Sequence, residues 1–324
     1  MKNQRHDWSL DEIRDLYHRP FLELVRLAQD VHAQNFTPGE VQVSSLISIK
    51  TGGCPEDCGY CPQAARYHTD IKKHPLMDKD EVLRLSREAK AKGASRVCLG
   101  AAWREVRDGR DFDAVVDIVR AVSAEGVQVC CTLGMLTEAQ AARLKDAGLS
   151  AYNHNIDTSP AFYNEVIKTR TFDDRLGTID NVRRAGISVC SGGILGLGES
   201  VDDRLLMLQT LSRLRPHPES VPINTLVPVK GTPLGDRETV ETEDLVRAIA
   251  TARILMPKSF IRLSAGRLGR SLAEQALCFL AGANSIFSGE KLLTTPNPEA
   301  DVDERMFSTL GLVKLGLPSA TEYV

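Results

Sequence analysis

The 324-residue sequence has no excess of positive charge and no long hydrophobic run. Its 40 Lys and Arg residues are opposed by 43 Asp and Glu residues, a formal net charge of −3 with His neutral. Without surplus cations we expect neither nucleic acid nor a membrane surface as a partner. Residues 1–20 lack the apolar segment of a secretory signal, so we expect a cytoplasmic protein. The remaining composition, 42% hydrophobic and 26% charged, is typical of a globular chain with a sizeable core.

Cysteine, by contrast, is plentiful, with 8 residues in a chain for which we expect no export. In a reducing compartment disulfides are rare. Thiols there more often serve as metal ligands or catalytic groups. The positions of the cysteines therefore indicate function more specifically than their number.

One unit recurs along the chain: an amphipathic helical stretch, a glycine, and then a short β-rich run. The glycines are Gly93, Gly126, Gly148, Gly186 and Gly282. A glycine that ends a helix in a left-handed conformation explains the pattern. With three further β-rich runs, we expect eight strands near 43–50, 96–101, 127–132, 150–156, 187–194, 221–227, 260–264 and 283–287.

Eight alternating β and α units over about 250 residues favour a TIM-type (β/α)₈ barrel, of the α/β class. An open doubly wound sheet is the alternative, since ILGLGE at 194–199 could pass for a dinucleotide-binding turn. That turn would follow the fifth strand rather than the first, which favours the barrel. We expect one domain spanning 1–324, with N-terminal helices in 1–40, the barrel in 41–288 and a C-terminal capping segment in 289–324.

Three cysteines follow the first strand in the segment KTGGCPEDCGYCPQ: Cys54, Cys58 and Cys61. They lie at the C-terminal end of a strand, where barrel enzymes place their chemistry. Structural zinc normally has four ligands, and the nearest fourth candidate is the side chain of His68. A 4Fe–4S cluster held by three thiolates would leave one iron open for catalysis. The loop position favours the cluster.

A second metal site is indicated by strand alternation, because residues of equal parity share one face of a strand. Cys98, Cys130, Cys190 and Arg262 all lie opposite aliphatic positions, so we expect them to point into the barrel. A barrel interior is normally filled with branched aliphatic residues, which makes three inward thiols near an arginine unusual. Cys131 falls on the outer face and Cys278 lies in a helix, and we expect both to be core residues.

Polar residues line the same predicted interior. Asn153, Asn155 and Asp157 alternate along the fourth strand, and Asn224 lies on the sixth. Inward amides and carboxylates need polar partners. They suit a ligand rich in N–H, C=O and hydroxyl groups.

The cysteine spacing, with Tyr60 before the last thiol, is similar to that of radical S-adenosylmethionine enzymes. From about residue 8 to 317 the chain further resembles the biotin synthase family of that superfamily. The matching segments include SIKTGGCPEDCGYCPQ, RVCLGAAW, YNHNIDTSP, VCSGGILGLGE, RLSAGR and GEKLLTTPNP. The resemblance implies that sulfur is inserted into dethiobiotin, giving biotin, through a 5′-deoxyadenosyl radical derived from S-adenosylmethionine.

The same resemblance implies a role for each candidate residue. The 4Fe–4S ligands would be Cys54, Cys58 and Cys61, and Cys98, Cys130, Cys190 and Arg262 would hold a 2Fe–2S cluster that donates sulfur. The S-adenosylmethionine contacts would be Tyr60, Asn155, Asp157, Arg175, Gly193 and Gly196. The dethiobiotin contacts would be Asn153, Asn155, Asn224, Thr294 and Thr295. It also implies a homodimer and a reduced flavodoxin or ferredoxin-type electron donor.

Two other classes of function remain open at this point. A radical enzyme of another type, such as a lyase, mutase or maturase, would not need the second group of inward thiols. A non-catalytic iron–sulfur scaffold or zinc module would not cleave S-adenosylmethionine. Saturated carbon can be activated only by a cofactor held away from water, and the predicted enclosed barrel suits that requirement.

Overall fold

The computed structural model describes residues 4–289 and 291–316, in which strands and helices alternate as the sequence predicts. The strands are β1 Glu40–Lys50, β2 Arg96–Ala101, β3 Gln128–Thr132, β4 Ala151–Asn153, β5 Ser188–Cys190, β6 Gly193–Leu195, β7 Ser220–Thr225, β8 Phe260–Leu263, β9 Ser285–Phe287 and β10 Val313–Lys314. The helices are α1 Leu10–Tyr17, α2 Phe21–Ala33, α3 Lys79–Ala91, α4 Arg110–Ala124, α5 Glu138–Asp146, α6 Tyr163–Val166, α7 Phe172–Arg184, α8 Val201–Arg213, α9 Thr242–Leu255, α10 Leu272–Leu280 and α11 Ala300–Leu310.

Parallel pairing closes the strands into a barrel. Neighbouring strands pair in chain order from β1 to β9, and β9 pairs with β1 through Gln42 opposite Ser285. Strands β5 and β6 together occupy one of the eight barrel positions, because both pair with β7. The predicted (β/α)₈ barrel is therefore confirmed, and the open sheet is excluded.

The fifth barrel strand is interrupted where its backbone approaches its neighbour. A Cβ atom on Gly192 would lie 2.0 Å from the carbonyl oxygen of Pro222, so a larger residue has no room there. The sequence predicts one continuous strand over 187–194. The close approach at Gly192 divides it into β5 and β6.

The predicted helix–glycine–strand unit is confirmed at each of its five sites. Gly93, Gly126, Gly148, Gly186 and Gly282 have φ angles of +87°, +72°, +96°, +69° and +101°. Each follows a helix and precedes a strand, as a left-handed helix terminus requires. Several helices also start with reciprocal caps, such as Thr171 with Asp174 at α7.

The segments before β1 and after β9 both flank the barrel, and they meet where the amide of Val313 donates to the carbonyl of Gly39 at 2.9 Å. Helices α1 and α2 lie in 1–40 and pack against α8 and α9. The segment after β9 carries α11 and then β10, which pairs with the start of β1. Of the predicted capping segment 289–324, residue 290 and residues 317–324 lie outside the described residues.

Burial separates two sets of apolar residues. The main core lies between the barrel and its helices and includes Val97, Val129, Cys131 and Cys278. A small separate cluster inside the barrel contains Cys98, Cys130 and Ala151. The prediction that Cys98 on β2 and Cys130 on β3 face the barrel interior is thus confirmed. The predicted core positions of Cys131 and Cys278 are confirmed as well.

Candidate active site

The cluster loop, which we define as residues 51–63, folds back on itself after β1. The amide of Cys54 donates to the carbonyl of Gln63 at 3.0 Å, and the amide of Cys61 donates to the carbonyl of Cys58 at 2.9 Å. These bonds bring all three cysteines of the loop to the wall of one cavity of about 310 Å³ at the C-terminal end of the barrel. The three thiols are free of disulfides.

Burial disfavours the ionised form of these thiols. It raises the pKa of Cys58 to about 11 and that of Cys61 to about 12, so both are protonated at neutral pH when no cation is bound. A metal centre requires thiolates and would offset this cost by its own charge. Across residues 4–289 and 291–316, no group of three or more Cys, His, Asp or Glu side chains is arranged to hold a single metal ion.

Amide side chains form a hydrogen-bonded wall on the opposite side of the cavity. Asn153 donates from Nδ2 to Oδ1 of Asn155 at 3.1 Å, and the Gly192 amide donates to the same oxygen at 3.2 Å. Asn224 donates to the carbonyl of Gly193 at 3.0 Å and accepts from the amide of Ala265 at 3.2 Å. All three asparagines line the cavity, where the sequence predicts them.

Asp157 connects the cluster loop to the far wall. Its Oδ2 accepts a 2.9 Å hydrogen bond from the hydroxyl of Tyr60. The same oxygen forms a close ion pair with Nη2 of Arg175. Arg175 also donates from Nε to the hydroxyl of Tyr163 at 2.8 Å. Asp157 adopts a φ of +66°, in the left-handed region, four residues after β4 ends. Asn155 and Asp157 therefore lie in the loop after β4 and not on the strand that the sequence predicts over 150–156. The structure thus joins Tyr60, Asp157 and Arg175, three residues that the family resemblance assigns to one ligand without predicting their mutual contacts.

Two further predicted sites occupy different positions relative to the cavity. Thr294 and Thr295 line it from the segment after β9. Gly193 and Gly196 stand behind the wall, where a Cβ would lie 2.0 Å from Sδ of Met207 and 2.7 Å from Cγ2 of Val240, respectively. Protein packing alone therefore requires both glycines, and their contact with a ligand stays a prediction.

The second group of thiols lies deeper in the barrel. Leu46 and Phe287 line the cavity and also pack against Cys98 and Cys130, so these thiols lie directly beneath its floor. Asn153 bridges the two levels, because its Nδ2 lies 3.2 Å from Sγ of Cys190 while its side chain lines the cavity.

A fully buried guanidinium completes this deep group. Arg262 places Nη1 3.8 Å from Sγ of Cys190 and donates to Ser285 Oγ at 2.9 Å and to Gln42 Oε1 at 2.9 Å. A hydrogen bond from Cys130 lowers the pKa of Cys98, aided by the nearby positive charges, and the same bond raises the pKa of Cys130. Burial raises the pKa of Cys190. The four residues that strand parity directs inward are therefore neighbours in the barrel interior.

Comparison with known proteins places this site in a family. The profile of the radical SAM superfamily matches residues 48–211, and that of the Biotin and Thiamin Synthesis associated domain matches residues 222–313. A biotin synthase from Cytophaga hutchinsonii is 61% identical over 312 residues, covering 96% of this chain and 93% of the relative. One from Myxococcus xanthus is 60% identical over 308 residues, covering 95% and 89%. The chain belongs to the biotin synthase family.

Solved structures agree on the fold. Methylornithine synthase superposes with a TM-score of 0.81 at 20% identity, over 98% of this chain and 96% of that one. HydG, a maturase of the [FeFe]-hydrogenase, superposes with a TM-score of 0.80 at 17% identity, over 96% of this chain and 73% of that one. At such identities the likeness supports the barrel and carries no argument about the reaction. Membership of the radical SAM superfamily itself implies S-adenosylmethionine and a 4Fe–4S cluster.

Sequence reasoning missed several buried polar residues at this family's site. Glu56, His154 and Arg170 line the cavity, and each has at least one buried polar atom without a hydrogen-bond partner among the described residues. Burial, reinforced by nearby Arg175 and Arg170, holds the pKa of His154 well below its usual range. The position of Glu56 between two cysteines of the loop was the signal that could have drawn attention to it.

One more buried ion pair lies near the deep thiols. Arg96, on the inner face of β2, donates to Glu219 Oε1 at 2.7 Å and to Gln128 Oε1 at 3.1 Å.

Among the described residues, no helix is both long enough and apolar enough to cross a membrane.

Proposed function

We propose that this chain is a sulfurtransferase that inserts sulfur into dethiobiotin and so forms the thiophane ring of biotin. The observation that carries the proposal is the stacking of two cysteine groups at two levels of one barrel. One group lines the cavity and the other lies beneath its floor, and Asn153 contacts both levels. The biotin synthases that are 61% and 60% identical to the chain support the same reaction.

The residues at each level fit the group assigned to them. Cys54, Cys58 and Cys61 would hold a 4Fe–4S cluster, since three free thiols on one loop leave one iron for another ligand. Cys98, Cys130, Cys190 and Arg262 would hold a 2Fe–2S cluster in the enclosed interior. When bound, the upper cluster and S-adenosylmethionine supply a hydrogen-abstracting radical, and the lower cluster supplies sulfur.

The cavity wall divides into contacts for two ligands. Tyr60, Asn155, Asp157 and Arg175 line the cavity and would bind S-adenosylmethionine. Gly193 and Gly196 stand behind this wall, and their missing side chains would let backbone approach the same ligand. Asn153, Asn155 and Asn224 offer amide donors and acceptors to the ureido ring of dethiobiotin, and Thr294 and Thr295 offer hydroxyl groups to its carboxylate. Trp103, Leu292 and Leu293 would exclude water from the reacting carbons.

The deep thiols favour this function over another radical reaction. A lyase, mutase or maturase on the same barrel has no use for a second sulfur-rich site beneath the substrate. The proposal extends to a homodimer, a cytoplasmic location and a reduced flavodoxin or ferredoxin-type protein as the electron donor.

Anaerobic reconstitution tests the proposal. The parent protein should bind both clusters, as counted by iron and sulfide analysis with Mössbauer spectroscopy, and convert dethiobiotin to biotin. Cys54→Ala, Cys58→Ala and Cys61→Ala should each lose the 4Fe–4S spectrum and release no 5′-deoxyadenosine. The matched control is Cys278→Ala, which removes a buried thiol of the outer core. This variant should keep the 4Fe–4S spectrum and the release of 5′-deoxyadenosine. A loop variant that cleaves S-adenosylmethionine at the parent rate would refute the ligand assignment.

A further inference from the structure

Exposed cations surround the outer side of the cluster loop, on the three segments that pack against it. They are Arg66, Lys72, Lys73, Lys168 and Lys230, which we call the cationic rim. The whole chain has a net charge of −3, so this concentration of positive charge is a local departure from its average. Such patches attract oppositely charged proteins and accelerate their association.

The first segment of the rim is hydrogen-bonded directly to the cluster loop. The amide of Ala65 donates to the carbonyl of Cys54 at 2.7 Å, and Thr51 and His74 exchange backbone hydrogen bonds at 3.0 and 3.3 Å. This pairing places Lys73 against the start of the loop, where a Cβ on Gly52 would lie 3.3 Å from its Cγ. The exposed Lys72 and Lys73 thus lie beside the residues that lead into Cys54.

The second and third segments complete the rim. The amide of Lys168 donates to Oδ1 of Asp57 at 2.9 Å, between two cysteines of the loop. Lys230 precedes Gly231, where a Cβ would lie 2.0 Å from the carbonyl oxygen of His68. The rim therefore surrounds the loop from three independent parts of the chain.

The acidic groups nearby leave the rim positive. Asp57 is largely buried, with 10% of its side chain exposed, and accepts an ion pair from Arg66 at 3.6 Å. The exposed carboxylates on the three segments, residues 64–74, 164–170 and 228–238, are Asp70, Glu165, Asp236 and Glu238. They are outnumbered by the five cations of the rim together with the exposed Arg237. Within the part of the chain that the structure describes, Lys72, Lys73, Lys168 and Lys230 form no side-chain ion pair.

We infer that the cationic rim is the docking surface for an acidic one-electron carrier protein, of the reduced flavodoxin class. The inference rests on the proposed function, because reductive cleavage of S-adenosylmethionine needs an electron from outside the chain. In the docked complex the carrier loses one electron and the 4Fe–4S cluster gains it, with no bond made or broken in either protein. The rim brings the carrier to the side of the loop where hydrogen bonds lead directly to the ligand Cys54.

Charge reversal at the rim tests this inference. The test variant is Lys72→Glu/Lys73→Glu, and the matched control is Lys145→Glu/Lys258→Glu, which makes the same charge change at two exposed lysines at the opposite end of the barrel. Calorimetry would measure binding of an oxidised flavodoxin of strongly negative net charge to each reconstituted protein. Stopped-flow absorbance would measure the reoxidation of the same flavodoxin after photoreduction.

At about 10 mM ionic strength, where screening extends over about 30 Å, the test variant should bind flavodoxin at least about tenfold more weakly and accept its electrons correspondingly more slowly. The control should stay within about twofold of the parent. The milder Lys72→Gln/Lys73→Gln variant should fall between them, which guards against misfolding of the reversed variant. Parent-like binding by the test variant, or an equal loss in the control, would overturn the inference.

Dithionite separates this inference from the proposed function. As a small reductant it bypasses docking, so the test variant should cleave S-adenosylmethionine at the parent rate when dithionite supplies the electron. If the parent itself releases no 5′-deoxyadenosine with dithionite, the proposed function fails, while the calorimetric titration still reports on the rim.

Discussion

At the scale of single residues, adjacent thiols on β3 have opposite environments. Cys130 faces the barrel interior and contacts Cys98, whereas Cys131 packs in the outer core among aliphatic side chains. Burial raises the pKa of Cys131 and leaves it a neutral, apolar group. One residue along the strand therefore separates a proposed cluster ligand from a packing residue.

This contrast predicts different outcomes for two otherwise equivalent substitutions. Cys130→Ala should abolish the 2Fe–2S absorption of the reconstituted protein, because it removes one of the three thiols proposed as ligands. Cys131→Ala should keep that absorption and lower the free energy of unfolding by about 1 kcal/mol, the cost of a small buried cavity. Visible spectra and urea denaturation measure the two effects. If the spectra of the two variants were exchanged, the residue assigned as ligand would be wrong.

Strand alternation predicts such directions well because it depends only on local backbone geometry. It correctly orients Cys98, Cys130, Cys190 and Arg262 toward one another. It could not predict that Arg175, on α7, pairs with Asp157 in the loop after β4. That contact depends on how a helix is placed over the barrel, and on a left-handed backbone at Asp157 that no local pattern indicates.

At the scale of elements, the break between β5 and β6 is the main departure from the predicted strands. The consecutive glycines at 192 and 193 mark the break in the sequence. The sequence does not show which neighbouring residues leave no room for a Cβ atom at these two positions. A Cβ on Gly193 would lie 2.0 Å from Sδ of Met207, on α8, and 2.6 Å from the carbonyl oxygen of Asp157. Contacts between segments far apart in the chain thus explain a feature that sequence patterns leave open.

Gly193→Ala should consequently destabilise the barrel. The added methyl group displaces both Met207 and the backbone at Asp157, and such overpacking costs about 1–3 kcal/mol. The control is Gly177→Ala, at an exposed position of helix α7, where a Cβ meets nothing within 4 Å. That change should stabilise the protein by about 0.5–1 kcal/mol, because Ala is the better helix former. Urea denaturation of both variants measures the difference, and equal stabilities would argue against the close packing at Gly193.

At the scale of the whole molecule, the barrel sets two sites one above the other. Closure between β1 and β9 encloses the deep thiols, and the segment carrying Thr294 and Thr295 covers the cavity above them. Strand number, strand order and the position of the cysteine loop could all be predicted, since each rests on periodicity and spacing. The convergence of Glu56, Arg170 and His154 on the cavity could not be predicted, because these residues come to one wall only after the loops have folded over the barrel.

Arg262 bears on what the lower site is for. A guanidinium remains protonated to pH well above 12, which makes it a poor metal ligand. The Arg262 guanidinium donates hydrogen bonds to Gln42, Ser44 and Ser285, and it occupies the position where a fourth thiolate would complete the ligand set. A cluster held at that corner by arginine should be bound less tightly than one held by four thiolates. Weak attachment suits a cluster that surrenders sulfur and is unnecessary for one that only relays electrons.

The most direct measurement of this central claim follows sulfur itself. The 2Fe–2S cluster would be rebuilt with ³⁴S sulfide, and the protein allowed a single turnover with dethiobiotin, S-adenosylmethionine and a reductant. Mass spectrometry of the biotin should then show the ³⁴S label, together with loss of the 2Fe–2S absorption. Biotin that carries only unlabelled sulfur, while the labelled cluster stays intact, would contradict the account.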